Sequence, residues 1–262
     1  MAPSEAKVPL STQELLVATL AVPSGSSSHP IDHDTMRTAR ITGLLYLGFF
    51  ITGVLGSIVV RGQMFAADDP EKTLSNLTNH EGLARVGIAL ELAIVSIQAL
   101  TALWFFRLFR SVDNFAAVSL VAFGMVNAVA ILGSAAMLAT ALEASTDALL
   151  SASGDSGVTV QLLYVVSDGL WGVSALFFGL WLFPMGWLVL RSNWMPKLLG
   201  WLLLVGGAGY TLSPFVKYLF SGAEPIAEAL TLPSVASEVW IMGYLIIIGV
   251  DRKVPQGKPS GS

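Results

Sequence analysis

The chain has 262 residues, 54% of them hydrophobic and only 12% charged, with a mean hydropathy of +0.70. Soluble domains carry about 25% charged residues, so this chain cannot cover a water-facing surface and belongs to the integral membrane class. A net charge of −4 with no dense basic stripe excludes a nucleic-acid partner, and the absence of cysteine excludes disulfides, thiolate nucleophiles and cysteine-held metal clusters.

Residues 1–36 read as a disordered cytoplasmic tail. The stretch "PSGSSSHPIDHD" is rich in Ser, Pro and Asp and buries too little apolar surface to fold alone. Before it, "STQELLVATLAV" suits a short interfacial helix, with Ser11 and Glu14 spaced as a capping box. That segment is too short to span a bilayer and lacks the basic flank of a signal peptide. His29 and His33 in the tail read as solvated, and His80 beside Glu81 lacks the further ligands of a zinc site. No metal or cofactor is expected.

A helix crossing the hydrocarbon core needs about 20 apolar residues. Six windows qualify, at 41–60, 84–106, 115–142, 160–190, 197–220 and 228–250. After the first, Asp69 precedes Pro70, a good helix start, and predicts a short helix on the outer membrane surface with Leu74 and Leu77 on one face. The fourth window is long enough to tilt or protrude. Pro214 and Pro233 are expected to interrupt the fifth and sixth helices. The turns "RLFRSVDN" and "RSNWMP" are short, which forces neighbouring helices antiparallel. The predicted fold is an all-α bundle of six antiparallel transmembrane helices over 37–251, with a cytoplasmic tail at 252–262.

Orientation follows the basic residues. Only Arg61, Lys72, Arg85 and Lys217 fall on one side, and the other ten of the 14 Lys and Arg fall on the opposite side. Both termini are therefore expected in the cytoplasm of a plasma-membrane protein. Trp104, Trp187, Trp194 and Trp201 mark the same basic boundary, as an aromatic belt does.

Three acids interrupt the spans: Glu91, Asp168 and Glu238. Each costs roughly 2.5–3.5 kcal/mol on insertion scales, so all are expected to face the bundle interior. Counted from the expected outer ends they lie about seven to eight residues down, or about 10–12 Å, in one layer. Gly206, Tyr210, Ser213 and Lys217 share a stripe of the fifth helix, where Lys217 is expected to neutralise part of that layer. Gln98 lies on the Glu91 face; Gly124, Asn127 and Ser134 form a weaker stripe; Gln161 and Tyr164 share the Asp168 face. Glu91, Gln98, Asn127, Tyr164, Asp168, Tyr210, Ser213, Lys217 and Glu238 thus outline a polar pocket open to the outer side. The competing reading is that such acids are structural, paired with lysine or hydroxyls.

The stretches "RTARITGLLYLGFFITGVLGSIVVRGQMF", "LTNHEGLARVGIALELAI" and "GLWLFPMGWLVLRSNWMPKLLGWLLLVGGAGYTL" resemble a mainly bacterial membrane family catalogued as domain of unknown function 4386. The resemblance runs from about Arg37 to Val250, with conservative departures at Trp187 and Lys197. It implies a multi-span helical fold and no particular reaction. The function expected from the acids is binding or transport of a small polar or cationic solute, or of protons. The alternatives are an intramembrane enzyme acting on a lipid or isoprenoid by acid catalysis, and a non-catalytic assembly subunit. Membrane lipids are the expected partners in each case.

Overall fold

Where lipid replaces water, a backbone polar group has no partner except another backbone group, so the apolar windows become helices. The computed structural model describes residues 33–147 and 155–250, all helix or short connection, with no strand among them. The tail readings for 1–32 and 251–262 lie outside the described residues.

The helices are α1 (His33–Met64), α2 (Pro70–Asn79), α3 (Glu81–Phe109), α4 (Asn114–Thr146), α5 (Ser156–Arg191), α6 (Lys197–Leu219) and α7 (Glu224–Ile247). All but α2 are long and apolar enough to cross a membrane. Most begin before the expected windows, and in α4 and α5 an aspartate cap sets the earlier start. Asp155 accepts hydrogen bonds from the Gly157 and Val158 amides at 2.8 and 3.2 Å, starting α5 at Ser156. Asp113 caps α4 through the Ala116 amide at 3.1 Å. Asp69 accepts from the Lys72 amide at 2.9 Å, with Pro70 in the first turn of α2. α1 starts at His33, so residues 33–36 are helical rather than part of a tail.

The expected interruptions do not occur: α6 and α7 run unbroken through Pro214 and Pro233. Pro214 has no N–H for the Tyr210 carbonyl, and the Ser213 hydroxyl donates to that oxygen instead, at 2.9 Å. Such local substitution is how proline survives in membrane helices.

The six long helices close into a ring in the order α1, α3, α4, α5, α6, α7, with α7 returning to α1 and α2 packed on α5. Small residues let neighbours approach. A Cβ on Gly179 of α5 would collide with the Thr211 backbone of α6, and one on Gly206 of α6 would lie 2.6 Å from Ser234 Cα of α7. Trp181, Tyr46 and Phe105 fill the ring interior, with Tyr46 edge-on to both other rings at 5.6 Å. At one end, Leu77 of α2 is buried among Val60, Met64, Ala84, Leu142 and Val160. Gln161 of α5 holds the connection there, accepting from Thr73 at 2.7 Å and donating to the Ala66 carbonyl at 3.0 Å. The outward faces stay apolar: Leu44, Val129, Leu162 and Val205 are all exposed.

Candidate functional site

Near its α2 end, α1 winds into a π-helical turn over Leu55–Arg61. The wider turn resets the phase of the residues that follow, and such turns frequently accompany functional sites. Here the turn is accompanied by an inward-pointing Arg61. Its Nη2 donates to Glu91 Oε1 at 2.9 Å, to Ser167 Oγ at 2.8 Å and to Ser134 Oγ at 3.3 Å. Its Nη1 lies 3.7 Å from Asp168 Oδ1. Trp171 Nε1 also donates to Glu91 Oε1, at 3.1 Å, and the two serine hydroxyls are 2.7 Å apart. One guanidinium therefore ties α1, α3, α4 and α5 together. The Arg61 and Glu91 side chains are 14% and 6% exposed, which places the pair in low dielectric.

The Asp168 side chain is 56% exposed, and it opens onto a vestibule rather than into the packed interior. This cavity of about 560 Å³ lies between α5, α6 and α7, and its polar lining includes Asp168, Tyr210, Ser213, Lys217, Glu224 and Glu228. Lys217 reaches over the Tyr218 ring, 5.7 Å from its centroid. Among the described residues no carboxylate comes within ion-pair distance of it.

A second chamber of about 210 Å³ shares Trp171, Ala175 and Tyr210 with the vestibule. Phe49, Phe50 and Phe178 supply much of its wall, and Asn127 and Glu238 supply polar groups. Glu238 is 4% exposed, and its Oε1 has no hydrogen-bond partner. A third cavity, of about 130 Å³, lies around Arg61, Glu91, Asp168 and Trp171. Trp171 lines all three.

The residues singled out by sequence thus divide into groups. Glu91 and Asp168 meet around Arg61, whereas Glu238 occupies the separate aromatic chamber. Tyr210, Ser213 and Lys217 line the vestibule beside Asp168. Asn127 donates to Gln98 Oε1 at 3.1 Å, which places buried Gln98 behind the chamber wall. Tyr164 stacks on Phe65 at 5.6 Å in the cluster beneath α2 and lines none of these cavities.

Sequence reasoning missed Arg61, Glu224 and Glu228. Arg61 ends an apolar run, where a basic residue reads as a flanking charge; a regular helical period does not anticipate a π turn. Glu224 precedes the last window and Glu228, one turn on, is its first residue. Their four-residue spacing next to Pro225 was the available signal. Among the described residues no three His, Asp or Glu groups converge as a metal site would require.

The model of the family described as "Domain of unknown function (DUF4386)" matches residues 41–249. The chain is also similar to an uncharacterized protein of Archaeoglobus fulgidus, 36% identical over 74 residues. That stretch is 28% of this chain and 43% of the relative, so the chain spans less than half of the relative's length. No solved structure matches the chain significantly.

Proposed function

We propose a role from the cavities themselves, because the chain belongs to the family described as domain of unknown function 4386. It is a multi-pass membrane protein. In our reading it sits in the plasma membrane with antiparallel spans, both termini cytoplasmic and α2 on the outer face. Its vestibule then opens outward and binds a small cationic solute for uptake.

The observation that carries this reading is the charge of the vestibule wall. Asp168, Glu224 and Glu228 face the cavity, with Lys217 as the lone cation of its lining among the described residues. A cleft of one dominant sign with low-dielectric walls concentrates counter-ions. Arg61 offsets Glu91 and part of the Asp168 charge, which leaves the glutamates of α7 to attract a cation. Trp171 and Tyr210 line both cavities, so the inner chamber adjoins the vestibule.

Proteoliposomes on a solid-supported membrane test the reading. Concentration jumps of sodium, methylammonium or guanidinium should evoke currents absent from empty liposomes. Those currents should fall several-fold when Asp168→Asn and Glu228→Gln are combined. Equal currents from variant and parent, or none above empty liposomes for all three cations, refute it.

A further inference from the structure

The inner chamber combines two features that point to one class of ligand. Its wall holds a carboxylate, Glu238, that is 4% exposed and has an orphan oxygen. Among the described residues no Lys, Arg or His lies within ion-pair distance of it. The neighbours it does have are phenols: Tyr46 and Tyr210 lie beside it. A buried carboxylate is normally paired or hydrogen-bonded, and this one, whose residue lines the chamber, keeps one acceptor unused.

The second feature is the ring of π faces. Phe49, Phe50, Trp171, Phe178 and Tyr210 all line the chamber. Phe178 stands 6.0 Å from the Phe49 ring and 5.0 Å from the Tyr210 ring, so these faces form one continuous wall. A small hydrated metal ion loses its water in such a place and gains few oxygen ligands in return. An alkylated ammonium carries little water, presents methyl groups to the rings and is attracted by their quadrupoles.

We infer that the inner chamber is a binding site for a small organic ammonium ion, with Glu238 as counter-ion and the Phe49, Phe178, Trp171 and Tyr210 rings as its cage. The chamber, of about 210 Å³, is several times the roughly 30 Å³ that one water takes up in the liquid, which leaves room for a small organic cation such as choline or tetramethylammonium. The inference rests on the vestibule reading only for the route by which the ligand arrives. Asn127 lies at the same wall and is held by Gln98, which supplies a polar contact for a hydroxyl on the ligand. Gly53 of α1 also lines the chamber, where a larger side chain would fill part of it.

Isothermal titration of the full-length protein with choline tests this, with 3,3-dimethylbutan-1-ol as the uncharged isostere. Choline should bind the parent protein at least about tenfold more tightly than the isostere, because only choline supplies charge to Glu238 and the rings. Glu238→Gln should weaken choline by a similar factor and leave the isostere unchanged. Equal affinity for the two molecules on the parent protein overturns the inference, and that comparison needs no variant to fold. A change of less than twofold in Glu238→Gln also overturns it.

The vestibule can fail separately. If choline does not bind while methylammonium currents persist and depend on Asp168, the chamber inference falls and the vestibule reading stands. If choline binds through Glu238 while the Asp168 and Glu228 changes leave the currents intact, the vestibule reading falls and the ammonium site stands.

Discussion

Replacing Arg61 with methionine keeps most of the side-chain volume and removes the charge that faces Glu91. At an N–O separation of 2.9 Å and an effective dielectric near 20, the attraction amounts to about 6 kcal/mol. Much of it is offset by the cost of taking both groups out of water, so the useful figure is the cost of breaking such a pair. Removing one partner of a buried ion pair costs about 3–5 kcal/mol, since the other is left uncompensated. Glu91 Oε1 would keep only the Trp171 indole at 3.1 Å, and Oε2 has no hydrogen-bond partner to begin with. At about 2–4 °C per kcal/mol for a protein of this size, the midpoint should fall by about 6–20 °C. Heating the detergent-solubilised protein while following its intrinsic emission gives the readout, with 7 tryptophans as reporters. Combining Arg61→Met with Glu91→Leu should recover most of the loss, because a well-packed apolar pair often matches a buried ionic one. If the single variant loses less than about 1 kcal/mol, or if the two changes simply add, Arg61 is not the node of this network.

Topology can be read with an impermeant thiol reagent in a chain that has no cysteine of its own. Cysteine at exposed Ser75 of α2 should label from outside intact cells, and cysteine at exposed Ser111 should not; the reverse pattern refutes the proposed orientation. Gly179→Val should cost about 1–3 kcal/mol by forcing α5 and α6 apart, while Gly169→Ala, where a Cβ meets nothing within 4 Å, should leave the melting temperature unchanged or slightly raised. Equal behaviour of the two glycines refutes close helix packing at Gly179. In the α3–α4 turn, hydrogen bonds from the Ala116 amide and then the Trp187 indole, with Arg191 nearby, hold the Asp113 carboxyl below the usual range. A lowered carboxyl pKa stabilises the fold above the unfolded value of about 3.9, and the contribution is lost as pH falls through the folded value. The Trp187 contribution to emission, isolated by comparison with Trp187→Phe, should therefore change only in acid and should not titrate in Asp113→Asn.

The membrane class, the number of long apolar helices and the short helix at Pro70 were legible in the sequence because each depends on local chemistry. Apolar length decides whether a segment can cross, and an aspartate before a proline starts a helix whatever surrounds it. The helix starts were less legible, since Asp155 and Asp113 recruit polar residues into α5 and α4 beyond the apolar windows. Pro214 looked like a break because its missing N–H is a local fact; the Ser213 hydroxyl that answers for it depends on the helix continuing. Partner choice was not legible at all. Helical period places Glu91, Asp168 and Glu238 on particular faces of their own helices, but says nothing about which face of a neighbour arrives opposite. Lys217 was the natural partner by spacing, yet the ring order and the π turn bring Arg61 to Glu91 and Asp168 and leave Lys217 over Tyr218. Close contact at Gly179 and Gly206 draws α5, α6 and α7 together, while Glu238 comes to rest behind Phe178 and Tyr210. An ion pair forms only within about 4 Å, a distance set by the mutual placement of separate helices, so the tertiary structure alone divides three similar acids between an arginine, a vestibule and an aromatic chamber.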